Sequence, residues 1–132
     1  MKHVVLAVFF LLTQLLPAFA ADIQVMSKEQ LKAKLGSPDM FILDARSETQ
    51  WESSQFKIPG AHWIPKDNTD QWVASLPKNK TLLVYCACTG NGLGASGRVA
   101  QELIDKGFTK VYALDGGWKA WQGSGYPVEA RK

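Results

Sequence analysis

Past residue 22, short apolar runs alternate with segments whose apolar positions recur at helical spacing. Met40-Phe41-Ile42-Leu43, Thr81-Leu82-Leu83-Val84-Tyr85 and Val111-Tyr112-Ala113-Leu114 are continuous apolar stretches of strand length. Such runs fit strands buried on both faces. His62-Trp63-Ile64-Pro65 reads as a shorter strand after the turn Ile58-Pro59-Gly60-Ala61. Between them, Ser27-Lys28-Glu29-Gln30 has the form of a capping box and opens a helix through Leu31 to about Leu35, ended by Gly36-Ser37-Pro38. Further helices are expected over 48–54, near 69–75 before Pro77, and over 95–106, where Val99, Leu103 and Ile104 share a face and Gly107 is the stop. Asp115-Gly116-Gly117 then turns into a short helix carrying Trp118 and Trp121. Strands alternating with helices predict the α/β class: a small open parallel sheet with helices on both faces. No internal repeat, linker or low-complexity segment interrupts the pattern.

The N-terminus has a different texture. Lys2 precedes an apolar run from Val4 to Leu16, and Pro17-Ala18-Phe19-Ala20 closes it with small residues. That is the layout of a signal peptide cleaved before Ala21. A membrane span needs roughly 17–25 apolar residues, and this run is shorter and holds Thr13 and Gln14. The expected organisation is a leader over 1–20 and one domain over 21–132, periplasmic or secreted, with no membrane anchor after cleavage.

Composition narrows the function. The chain has 132 residues, 46% hydrophobic and 20% charged, with a formal net charge of +3. A scattered charge this small argues against a nucleic-acid module. Its two cysteines, Cys86 and Cys88, stand one residue apart and cannot staple distant segments. With His62 the only histidine after residue 20, a tetrahedral zinc site is poorly supported. No metal and no cofactor is expected.

In an open parallel sheet the binding crevice lies beyond the carboxyl ends of the strands. Asp44 and Arg46 follow one strand; Cys86 and Cys88 follow another. After the cysteines come Thr89, Gly90, Asn91, Gly92, Leu93 and Gly94, then Ala95 and Ser96 at the expected helix start. Glycines let backbone N–H groups turn inward as an anion-binding nest, and a helix N-terminus adds partial positive charge. A thiol there ionises below its free value of about 8.5. The geometry favours a thiolate or an anionic adduct of it.

With these residues assembled, the sequence resembles a single-domain rhodanese, a sulfurtransferase module. The resemblance runs from Val25 to Val128. It rests on Leu43-Asp44-Ala45-Arg46-Ser47, Ile58-Pro59-Gly60-Ala61, Val84-Tyr85-Cys86, Gly107-Phe108 and Leu114-Asp115-Gly116-Gly117-Trp118 in that order. It implies a cysteine that takes a sulfane sulfur from a donor such as thiosulfate, holds it as a persulfide and passes it to a thiol acceptor. The partners so implied are a small sulfur-containing anion and a small-molecule or protein thiol, with the protein acting as a monomer.

Three features depart from the family pattern. The loop lacks the usual Arg, with Ala95 in its place. The stretch from Cys88 to Ser96 is two residues longer, and there are two candidate cysteines. Aligning by the strand end favours Cys86 as the nucleophile. Aligning by the helix favours Cys88, which leaves the shorter loop and is preferred here. Asp44 and Arg46 are expected to support the strand end as a pair. Arg98, one turn into the helix, faces solvent or leans back to replace the missing loop cation. His62 is expected on an exposed strand, and one of Trp118 and Trp121 in the core. The alternatives are a non-catalytic rhodanese-like binding module, for which the missing Arg speaks, and a Cys-x-Cys redox protein.

Overall fold

The computed structural model describes residues 23–131 apart from 66, 68 and 88–93. Five strands, β1 (Gln24–Met26), β2 (Met40–Asp44), β4 (His62–Trp63), β5 (Thr81–Tyr85) and β6 (Val111–Leu114), form one parallel sheet in the order β1-β6-β5-β2-β4. The long strands β2, β5 and β6 hold the centre, as their unbroken apolar runs require.

Alternation along β5 divides the core. Leu82 and Val84 face one side with Leu43 and Val111, and there meet Val73 and Leu76 from the α3 region and Ala100 and Leu103 of α4. Leu83 and Tyr85 face the other side with Ile42 and Leu114, and meet Leu31 of α1 and Trp118 and Trp121 of α5. The helices are α1 (Lys28–Lys34), α2 (Glu48–Ser53), α3 (Thr69–Ala74), α4 (Ala95–Asp105) and α5 (Gly117–Gly123). Helices thus cover both faces of the sheet.

The capping box at Ser27 and Gln30 forms as expected, and a second one, Ser47 with Gln50, opens α2. Three elements were not anticipated. β1 is an edge strand of only three residues, and β3 (Phe56–Lys57) pairs antiparallel with β7 (Glu129–Ala130) in a separate ribbon. Segments this short carry no readable periodicity. The expected strand 62–65 stops at Trp63; the Ile64 N–H still donates to Asp44 O at 3.0 Å, but Pro65 has no N–H to continue the ladder. Both Trp118 (8% exposed) and Trp121 (0%) are buried, where only one was expected.

Candidate functional site

The carboxyl ends of β2 and β5 lie side by side. Asp44 is paired with Tyr85, and the N–H of Ala45 donates to Tyr85 O at 2.7 Å. Asp44 is fully buried and Arg46 is 3% exposed. Arg46 Nε donates to both Asp44 oxygens at 3.0 Å, and Nη2 donates to Oδ2 at 2.7 Å and to Phe56 O at 3.0 Å. The backbone N–H of Arg46 also donates to Asp44 Oδ1. Tyr85 donates its hydroxyl to Asp44 Oδ2 and accepts the N–H of Ile58. Burial first, and then the negative charge of Asp44, push the Tyr85 hydroxyl far above its ordinary value. It stays protonated and remains a donor.

The guanidinium sits among rings, 4.5 Å from the centroid of Trp118, 5.4 Å from Trp51 and 5.7 Å from Tyr85. Arg46 Nη1 is buried without a hydrogen-bond partner. Beside it opens a cavity of about 460 Å³, whose lining includes Arg46, Phe56, Trp118 and Ala87. Asp44 and Arg46 are thus joined as an ion pair at the strand end, with one nitrogen of the fork left over.

Cys86 follows β5 directly and is 2% exposed. Its Sγ lies 3.4 Å from Ser96 Oγ and is disulfide-bonded. Its carbonyl accepts the N–H of Trp118 at 2.8 Å. That bond depends on Gly116, which has φ 75°; a Cβ there would meet the Ala120 Cβ at 2.5 Å. The Asp115-Gly116-Gly117 signal is thus the hinge that delivers Trp118 to the strand end.

Gly94 is the N-cap of α4. Gly94 has no side chain to cap this terminus, and the first turn has no acid. Ala95 and Ser96 form that first turn, and Ser96 is buried against Cys86. Arg98 is exposed and lines a second cavity of about 300 Å³ with Trp72 and Glu102. His62 is exposed on β4 and stacks on Phe41 at 4.5 Å. Cys88, Thr89, Gly90, Asn91, Gly92 and Leu93 lie outside the described residues, as does the leader over 1–20.

Sequence reasoning passed over Tyr85 and the glutamines of α2 and α5 that line the cavity beside Arg46. For Tyr85 a signal was available: a hydroxyl on a buried strand needs a partner. For the glutamines there was none.

Residues 27–124 match the rhodanese-like domain family, and the chain belongs to it. It is similar to the thiosulfate sulfurtransferase GlpE of Tolumonas auensis, at 29% identity over 97 residues, covering 74% of this chain and 86% of that one. It is also similar to GlpE of Coxiella burnetii strain RSA 331, at 31% over 94 residues, covering 71% and 82%. Among solved structures, the Alr3790 protein from Anabaena superposes with a TM-score of 0.67 at 28% identity, covering 80% of this chain and 82% of that one. The BH2092 protein from Bacillus halodurans does so with a TM-score of 0.70 at 22% identity, covering 82% and 77%.

Proposed function

We propose that this protein is an exported sulfurtransferase that carries sulfane sulfur as a cysteine persulfide, with Cys88 as the nucleophile. The observation that carries the reading is the placement of Cys86 at the end of β5, 3.4 Å from Ser96 in the first turn of α4. A helix start directs N–H groups and partial positive charge at an anion beside it. The likeness to proteins named thiosulfate sulfurtransferase supports the same chemistry.

The cycle begins with reduction, since Cys86 is disulfide-bonded. A thiol reductant delivers two electrons and frees the thiolate. The thiolate attacks the outer sulfur of thiosulfate; a sulfur–sulfur bond forms on the cysteine, the one in thiosulfate breaks, and sulfite leaves. An acceptor thiolate then attacks the outer persulfide sulfur and takes it, restoring the cysteine thiolate. This is covalent catalysis with a ping-pong course. The apolar run before Ala21 supports export.

Intact mass tests the reading. After reduction and removal of reductant, thiosulfate adds one sulfur to the wild type and to Cys86→Ser, and none to Cys88→Ser. Loading of Cys88→Ser alone transfers the role to Cys86. A second reading, a dithiol redox protein, draws on the bonded state of Cys86. It is supported if thiosulfate adds nothing while mild oxidant removes two hydrogens.

A further inference from the structure

The cavity of about 300 Å³ opens between α3 and α4, beyond the carboxyl ends of β2 and β4. That is the edge of an open parallel sheet where ligands bind, and the volume is at the lower end of small-molecule sites. Part of its lining is an apolar wall: Ile64 and Pro65 after β4, Trp72 of α3 and Val99 of α4. At the roughly 30 Å³ that liquid water takes per molecule, the space holds about ten heavy atoms.

Arg98 and Glu102 also line this cavity, and both are exposed, so a ligand can reach them. They stand four residues apart on α4, which makes their side chains neighbours on one face. Among the described residues they are joined neither to each other nor to another charge. The order Arg before Glu is the weaker one for pairing within a helix, which leaves both groups available. The third charged residue of the lining, Arg46, is already held by Asp44 at 2.7 Å. A simple anion is drawn by Arg98 and repelled by Glu102, and a simple cation meets the reverse. A ligand that presents both signs side by side satisfies the two together. An α-amino acid does so, with its carboxylate and ammonium on one carbon.

We propose that this cavity binds a free α-amino acid with an aliphatic side chain, its carboxylate on Arg98, its ammonium on Glu102 and its side chain against Trp72 and Val99. The proposal concerns binding alone and does not rest on the sulfurtransferase reading. L-Leucine, close to the size of the cavity, is the probe. Its two relatives are 4-methylpentanoate, which lacks the ammonium, and 3-methylbutylamine, which lacks the carboxylate. In nitrogen-15 spectra of the protein, L-leucine shifts the Trp72 indole and the 98–102 backbone signals in a saturable way. Each relative binds roughly fivefold more weakly, the effect of one unit charge about 4 Å away in water. Arg98→Gln erases the difference between L-leucine and 3-methylbutylamine, and Glu102→Gln erases that between L-leucine and 4-methylpentanoate. Both side chains are exposed, so the variants keep the fold, which unmoved signals from β2 verify. No saturable shift from L-leucine overturns the proposal. So does 4-methylpentanoate binding as tightly as L-leucine, which makes this a plain carboxylate site. Undiminished L-leucine binding in both variants overturns it as well, by placing the ligand elsewhere.

Discussion

Two neighbouring strand ends are finished in opposite ways. At the end of β2 nearly every polar group is used internally. Asp44 is enclosed by four donors, Arg46 by two acceptors and three rings, and the helix that follows closes its own first turn through Ser47 and Gln50. At the end of β5 the following helix starts on Gly94, which brings no side chain of its own to the amides. One terminus closes itself with its own side chains, and the other starts on a residue that has none. A fold can place reactive chemistry on the second because the first holds the strands in register.

The comparison is broken most severely at Asp44. Asp44→Asn leaves the Arg46 charge buried without its counter-ion, and removing one partner of a buried pair costs about 3–5 kcal/mol. Urea denaturation should show the loss as a lower midpoint with an unchanged slope. Tyr85→Phe is milder. It removes a donor to Asp44 and strands the Ile58 N–H, so about 1–3 kcal/mol should disappear in the same measurement.

Gly94→Asp sharpens the contrast from the other side. A carboxylate at the N-cap offers the α4 amides an acceptor and adds stability of a few tenths of a kcal/mol relative to glycine. It also repels the incoming anion. Sulfur loading should slow by about tenfold or more while the melting temperature holds or rises. A slower reaction accompanied by a lower melting temperature would mean that the α4 terminus is structural.

The smallest effect lies at Glu129. The Gly60 N–H, at 2.8 Å, and then Lys57 hold its carboxyl below the ordinary value of 4.5. A depressed carboxylate contributes stability above the unfolded value, and loses it as pH falls through the folded one. Glu129→Gln should therefore flatten the acid side of the stability profile below about pH 5 and leave the neutral region almost unmoved. Thermal unfolding at a series of pH values reads this directly.

The legible parts of the molecule were those with enough residues to show a period. β2, β5, β6 and the capped start of α1 announced themselves, and with them the parallel sheet and the two strand ends that carry Asp44, Arg46 and Cys86. The β3–β7 ribbon did not, since two-residue strands leave no pattern and their pairing spans more than seventy positions. The aromatic enclosure of Arg46 was hidden for a related reason. Trp51, Tyr85 and Trp118 come from α2, β5 and α5, and only the fold makes them neighbours.

The pairing of β1 with β6 has a consequence for how the chain is made. Residues 24–26 are made long before the strand they join, which spans 111–114. Until synthesis has passed that point, the first strand has no ladder to enter. Phe56 likewise waits for Ala130 to complete the ribbon whose carbonyl receives Arg46. Because such distant pairings form late, an incomplete chain has neither a closed sheet nor a finished pocket. The pocket wall at Phe56 is therefore finished only after residue 130 has been made.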